Sequence, residues 1–354
     1  MATIDWTRGA QQTWRYWVVD PDTWRDSHEL DGVLSCDITR DAESDTLESA
    51  SLTFDGDVPA QELIVRVYLD ATQDGATERL CVGTLVMQTP RWSGDGRVRT
   101  ADADMFGVLC ELGDDSPPVG YSVVAGSDPL ASAATAARHV LRAPVVAPSA
   151  GTPLTEHYVA DADETWLDTI RDLTARGGYE LAVDAFGRVR FEPGRRVAAL
   201  APVRTFDDSN SSVLDANVEV TTDMYEVPNV VQVVWSGNTR CVVAEAANDD
   251  ESSPLSLAAR GRRVMLRVTN PEELSEGCTE TAAEAVARKR LADLSHVKRT
   301  ITFSHAITSP LPSLGDCVRL TYERYGIDVR ARVVRQVIHC ETGGMVECTA
   351  TWRE

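Results

Sequence analysis

Between Val33 and Cys110 the chain repeats one pattern: VLSCDIT, SASLTF, LIVRVYL, LCVGTLVM and RVRTADA are short segments rich in β-branched residues, each set off by a polar turn. β-Branched side chains pack well on a pleated surface and lose rotamer freedom in a helix, so segments of this kind are strands. No other feature narrows the fold as much, because strands in close succession have to pair. The run Leu63 to Leu69 is almost continuously apolar, as in a strand covered on both faces or closed into a barrel. A small β-barrel over residues 1–112 is expected.

Past the turn-forming GDDSPPVG at Gly113 to Gly120 the period lengthens. Ser127 or Asp128 can cap a helix with Pro129 in its first position and Leu130, Ala134, Ala137, Val140 and Leu141 as its apolar stripe. A second helix has Asp161 or Asp163 as cap, Trp166, Leu167, Ile170 and Leu173 on one face, and Gly177-Gly178 as its stop. YELAV, a turn at Asp184 to Gly187, and RVRFEP make a hairpin, so residues 113–204 read as a mixed α+β domain.

Strands return with SVLDANVEV, VVQVVWS, RCVVAEA and RVMLRVT, interrupted by a loop at Asn248 to Pro254. One helix stands out, from about Thr279 to Leu294, with Ala283, Val286, Ala287, Arg290 and Leu291 inward, and with Arg288 and Lys289 in the half where the helix dipole favours cations. At the end of the chain Val318, Leu320 and Tyr322 share a face, as do Val346, Cys348, Ala350 and Trp352. Between them, Val329 to His339 changes its apolar parity near Val333-Val334, the mark of a bulge. Residues 205–354 are read as a second β-domain with one helix and a small subdomain. At 354 residues the chain is too long for a single core, which agrees with this division. The fold class is mainly β with α+β insertions.

The first thirty residues carry Trp6, Trp14, Tyr16, Trp17 and Trp24, with half of the eight tryptophans in the first 24 positions. Such density asks for a burying surface, either a local core or a subunit interface, where Trp and Tyr serve as anchors. The formal charge of −21 argues against tight binding to phosphate backbones or anionic lipid. The short basic clusters Arg195-Arg196 and Arg260 with Arg262-Arg263 read as solvated turns. The start MATIDWTRGA lacks the pattern of a secretory signal, and no stretch is apolar enough for a helical span, so synthesis in the cytosol is expected.

Taken in order, several phrases resemble those of the phage tail hub proteins, the tail-associated or baseplate hub-like minor tail proteins of long-tailed phages, siphophages included. VRTADADMFGVLCEL looks like the strand and short helix that close the first hub barrel, and GGYELAVDAFGRVRFEP like the Gly-stopped helix and hairpin of the middle domain. TFDDSNSSVLDANVEVTTDMYEVPNVVQVV resembles the crossover into the second half, and RTITFSHAITSPLPSLGDCVRL, with its Gly315-Asp316 turn, the closing barrel. The resemblance spans about residues 33–352. It implies two tail-tube-like β-barrels per subunit, arranged by three copies as a ring that joins the six-fold tube to a three-fold tip and lines the path of DNA during genome ejection. It further implies assembly in the host cytoplasm, a place at the virion's tail tip, and as partners the distal tail protein, the tape measure protein and a tail fibre or receptor-binding protein. The acidic composition suits a duct that must not hold DNA, and equally suits simple solubility.

Chemistry is hard to assemble from the residues. The eight cysteines form no C-x-x-C pair, Cys340 and Cys348 merely flank a turn, and a cytosolic origin argues against a disulfide there. His28, His139, His157, His296, His305 and His339 are far apart and read as structural. The carboxylates Asp161-Asp163-Glu164, Asp207-Asp208 and Asp249-Asp250-Glu251 read as a helix start and solvated loops, although a glycosidase needs only two carboxylates at the right separation. No catalytic, metal-binding or cofactor-binding residue is expected, and the chain stops at Trp352-Arg353-Glu354 without a lytic domain after the last barrel strand. The alternative is a cell-wall-directed hydrolase or glycan-binding module of the tail tip.

Overall fold

The structure, a computed structural model, describes residues 4–55, 62–94, 96, 99–194, 197–209, 213–237, 240–271 and 273–353. It divides into two compact units, one of Met1–Val218 with Thr302–Ala350 and one of Glu219–Ile301 with Thr351–Glu354.

The β-branched segments of the first third form strands as expected: β1 (Gln11–Val19), β2 (Asp26–Glu29), β3 (Val33–Asp41), β4 (Glu48–Asp55), β5 (Ile64–Gln73), β6 (Ala76–Gly94) and β7 (Arg99–Gly107). They pair antiparallel in the order β2-β1-β5-β6-β7-β4-β3. Six consecutive residues of β5, Ile64 to Leu69, are buried, so the continuous apolar run does mark a strand covered on both faces.

The following segment contributes α1 (Cys110–Gly113), β8 (Ser122–Val123), α2 (Pro129–Val140), β9 (Tyr158–Val159), α3 (Trp166–Arg176) and the hairpin β10 (Tyr179–Val183) with β11 (Val189–Pro193). Asp128 caps α2, its carboxylate accepting from the Leu130 amide at 2.9 Å. For α3 the cap is Thr165, and neither Asp161 nor Asp163. Thr165 and Asp168 exchange side-chain and backbone hydrogen bonds in a capping box, which satisfies two orphan amides where a lone aspartate would satisfy one. The helix stops at the Gly pair, with Gly178 at φ 81°. Leu130, Ala134 and Ala137 of α2 and Ile170 and Leu173 of α3 share one core with Val19, Ile64, Val86 and Leu109 from the strands and their exit.

β12 (Arg204–Asp207) and β13 (Leu214–Asp223) lead into the smaller unit, which holds β14 (Val230–Ser236), β15 (Cys241–Ala247), α4 (Leu257–Arg260), β16 (Met265–Thr269) and α5 (Glu280–Leu294). β14 is central, antiparallel to β15 and parallel to β16. Val231, Val233 and Trp235 alternate along β14 and Val242, Ala244 and Ala246 along β15, which lines one face with apolar groups. Ala283, Ala287 and Leu291, four residues apart on α5, cover that face.

β17 (Lys298–Ala306), β18 (Cys317–Tyr322), β19 (Ile327–His339) and β20 (Met345–Arg353) complete the chain. Burial along β19 passes from Ala331 and Val333 to Gln336 and Ile338, the parity change expected near Val333-Val334. There β19 leaves β18, which it pairs over Ile327–Arg332, and takes up β3 over Arg335–His339. Through that second pairing the last strands join the first. Among the described residues the order is β13-β17-β20-β19-β3-β4-β7-β6-β5-β1-β2, an open path of eleven strands, and β12 and β18, attached at β19, bring the sheet to thirteen.

Candidate interface and candidate catalytic groups

The five aromatic residues near the N-terminus do not form one cluster. Along β1 the side chains alternate, so Trp14 and Tyr16 point to one face and Trp17 to the other. Tyr16 is 6% exposed and sits among strand residues. Burial, with the nearby Cys36 and Cys340 thiols, pushes its ionisation up. Trp24 is half-buried with φ 56°, and its indole N–H donates to the Phe186 carbonyl at 2.8 Å. Trp6 is half-buried with its N–H 3.4 Å from a Glu78 carboxylate oxygen.

Trp24 belongs to a clamp on the hairpin turn between β10 and β11. Besides its own bond, Arg66 donates to the Phe186 carbonyl at 3.2 Å, and the Thr84 hydroxyl and Cys81 thiol donate to the Ala185 carbonyl at 2.9 and 3.2 Å. Gly187, at φ 72°, closes the turn. A Cβ there would lie 2.9 Å from the Trp24 ring and 3.0 Å from Thr84, so both conformation and space require glycine. This role of Trp24 could not be read from the sequence, since its partner is 162 positions away.

Trp14 and Trp17 differ from the other three. Both are half-buried, yet each indole N–H is shielded from solvent and has no hydrogen-bond partner among the described residues. An unmet buried donor costs about 1–3 kcal/mol. β1 pairs with β5 along its full length and with β2 over Trp17–Val19, so among the described residues the edge beside Trp14 has no strand partner while the edge at Trp17 is paired.

The histidines divide by environment. His305 is fully buried, its ring tilted against that of Phe206 with centroids 4.5 Å apart. Its Nδ1 lies 2.7 Å from the Ala306 carbonyl and its Nε2 3.5 Å from the Cys348 sulfur. This Cys/His pair joins positions 43 apart, and no local motif announced it. Burial pushes the imidazole down to about 4 and the thiol up to about 12, so both groups are held neutral. An activated thiolate needs the opposite shifts and an opening to substrate. The pair instead ends a buried polar track: Gln336 donates to the Cys348 sulfur at 3.4 Å, Arg40 to Gln336 at 3.2 Å, and Arg40 to Glu48 at 2.9 Å. Arg40 also bonds the Val82 carbonyl. Burial raises the Glu48 carboxyl, and the Arg40 charge opposes that rise.

His339, by contrast, is partly exposed. Its Nδ1 lies 2.7 Å from Asp37 and its Nε2 3.6 Å from Glu347, and the bond to Asp37 raises its pKa.

Four carboxylates of these clusters accept hydrogen bonds, three from neighbours in sequence and one, Asp208, from far along the chain. Glu164 accepts from the Tyr158 and Thr169 hydroxyls, Asp207 from the Ser209 amide, Asp208 from the Glu323 amide, and Asp250 from the Ser252 amide and hydroxyl. Of the basic clusters, Arg260 bonds the Val227 carbonyl at 2.6 Å and Arg263 bonds Glu245 at 2.6 Å, while Arg195-Arg196 lies outside the described residues. Among the described residues no three His, Cys, Asp or Glu side chains group as a metal site would require. No helix there is long and apolar enough to cross a membrane. An open groove of about 580 Å³ between β8 and α2 is lined by Tyr121, Val124, Ser132, Thr135, His139 and Trp166.

No family model matches the chain, and no curated protein does. Solved structures do. A tail protein from Neisseria meningitidis MC58 superposes with a TM-score of 0.67 at 15% identity, over 96% of each chain. The 43 kDa tail protein of prophage MuSo2 from Shewanella oneidensis gives 0.65 at 13% identity, over 95% of this chain and 97% of that one. A chain of the Francisella PdpA-VgrG complex gives 0.58 at 9% identity, with 98% of this chain matched to 58% of that one.

Proposed function

We propose that this chain, which has the β-rich fold of prophage tail proteins, is itself a structural component of a phage tail: a hub at the distal end of the tail tube. The single observation that carries this is the superposition on two tail proteins across nearly the whole length of both partners. In the finer reading three copies form a ring, each giving two tail-tube-like barrels, one from residues 1–112 and one from 205–354, with 113–204 packed against them. The ring links the six-fold tube or distal tail ring to a three-fold tip and lines the path of DNA. Its partners are the distal tail protein, the tape measure protein and a fibre or receptor-binding protein, and its place is the tail tip of the virion. The open strand order among the described residues supports assembly, since a sheet that ends on an unpaired strand can be completed by a neighbouring copy.

Trp14 and Trp17 are the interface residues this reading favours. A turn of these side chains toward a second copy would bring their indole donors to a carbonyl or carboxylate, an acceptor that none of the described residues supplies. Tyr16 and Trp24 have partners in their own chain and contribute by holding the strand and the hairpin in place. Light scattering on the purified protein should give three times the 38.6 kDa chain mass. Trp14→Ala with Trp17→Ala should shift it to monomer while leaving the far-ultraviolet spectrum unchanged. A wild-type monomer that also forms no ring when mixed with tail tubes would overturn the hub. Release of reducing ends or free amines from purified cell wall would instead favour a hydrolase, and soluble-glycan binding without release would favour a glycan-binding module.

A further inference from the structure

Cys36 of β3 and Cys340, one residue past the end of β19, come from opposite ends of the chain. The ladder between these strands ends on the rung His339 with Asp37, and the next rung places Cys340 opposite Cys36. The Cys340 amide donates to the Cys36 carbonyl at 3.0 Å, which shows that the pairing continues to this rung. Residues facing each other on antiparallel strands hold their Cα atoms about 4.5–5.5 Å apart, inside the roughly 4.4–6.8 Å that a disulfide spans, with both side chains on one face of the sheet. The thiols are 3% and 6% exposed, and Cys340 is pushed well up by burial and by the neighbouring Cys36 thiol, with Tyr16 raised beside the same pair. Cys348, the cysteine nearest Cys340 in sequence, faces Gln336 and His305 instead.

We propose that Cys36 and Cys340 are a disulfide site that closes by exchange with a small-molecule disulfide. The thiolate of one cysteine attacks the small disulfide, forming a mixed disulfide and releasing one small thiol. The second cysteine then loses its proton and attacks the protein sulfur, forming the Cys36–Cys340 bond and releasing the second small thiol. The protein gives up two protons and two electrons, and the small disulfide takes both. Burial keeps both sulfurs out of reach in the folded chain, so exchange is fast only while β19 is open, during folding or local unfolding. Once formed, the bond ties the last strands of the larger unit covalently to its first, and the long loop it closes restricts the unfolded chain.

The test is to refold the full chain from urea with and without oxidised glutathione, alkylate it in denaturant, and measure intact mass, peptide map and melting temperature. Six of the eight cysteines should be alkylated after oxidative refolding, against eight without oxidant. A linked Cys36–Cys340 peptide should appear, and the melting temperature should rise by about 4 °C or more and fall back with dithiothreitol. Cys340→Ser and Cys36→Ser should each abolish the mass change and the shift, while Cys348→Ser keeps both. If a serine variant does not refold, the wild-type peptide map decides alone. Eight alkylated thiols after oxidation, a Cys340–Cys348 link, or glutathione adducts with no internal bond would each overturn the proposal.

Discussion

In the larger unit, the strands that meet were made far apart. β3 pairs with β19, and Arg40 reaches Gln336 across 296 positions. Its core also takes in polar groups, with an arginine, a glutamate, a glutamine and a histidine among its buried side chains. The smaller unit draws β14, β15, β16 and α5 from the single stretch Val230 to Leu294, its apolar core is Val, Ala, Leu and one Trp, and the polar side chains it buries, Asn229 and Ser256, carry no charge. The larger unit has to close a very long loop before its central ladder is rewarded, whereas the smaller can form from local contacts. A buried ion pair adds little net stability against an apolar alternative, but it penalises any other register heavily, because a slipped strand strands the charge. The polar track is thus placed where register has to be chosen between distant segments.

That contrast can be broken by mutation, and the largest effect is expected at its centre. Arg40→Ala leaves Glu48 buried without its cation and Gln336 without its donor, and should cost about 3–5 kcal/mol in urea denaturation. A loss below about 1 kcal/mol would mean that the pair does not hold the long-range ladder. Replacing both partners, Arg40→Met with Glu48→Leu, should cost much less than Arg40→Ala alone.

In the smaller unit Ala287→Gly removes a buried methyl group and a good helix former, for about 1–2 kcal/mol. Hydrogen exchange should accelerate in β14, β15 and α5 and stay unchanged in β3 and β19; acceleration in both sets would show that the two units do not open separately. Thr165→Ala breaks the α3 capping box and should cost about 1 kcal/mol, read as a lower urea midpoint with an unchanged slope.

The smallest effect is a pH dependence at His339, which links β3, β19 and β20 from the exposed side. Its folded pKa is raised, so its stabilising contribution is complete below about 6.5, the unfolded value, and fades as pH rises through the folded value. Solvent screening limits it to about half a kcal/mol. The melting temperature should drop slightly more from pH 5.5 to pH 8.5 in the wild type than in His339→Gln, and an equal drop in both would remove His339 from the account.

Local elements were legible because their causes are local. The strands from Val33 to Cys110, the stripe of α5 and the glycine stop of α3 follow from side-chain period and backbone freedom. The α3 cap shows the limit even there: the Asp residues at 161 and 163 looked like caps, but Thr165 with Asp168 three positions on was the stronger signal and lay in plain view. The parity change in β19 was visible as well, while its reason, an exchange of partners from β18 to β3, was not.

By itself, the sequence determined that this is a mainly β chain with a mixed segment after residue 112, because periodicity and turn chemistry act over a few residues. Only the tertiary structure decided that β19 lies beside β3, that Cys36 faces Cys340, that His305 and Cys348 meet in a neutral buried pair, and that Trp24 grips a hairpin while Trp14 and Trp17 find no acceptor among the described residues. Each of these is a pairing across a long loop. The pattern of one strand states which face it buries, but which distant strand it meets is settled only when all the faces are packed at once.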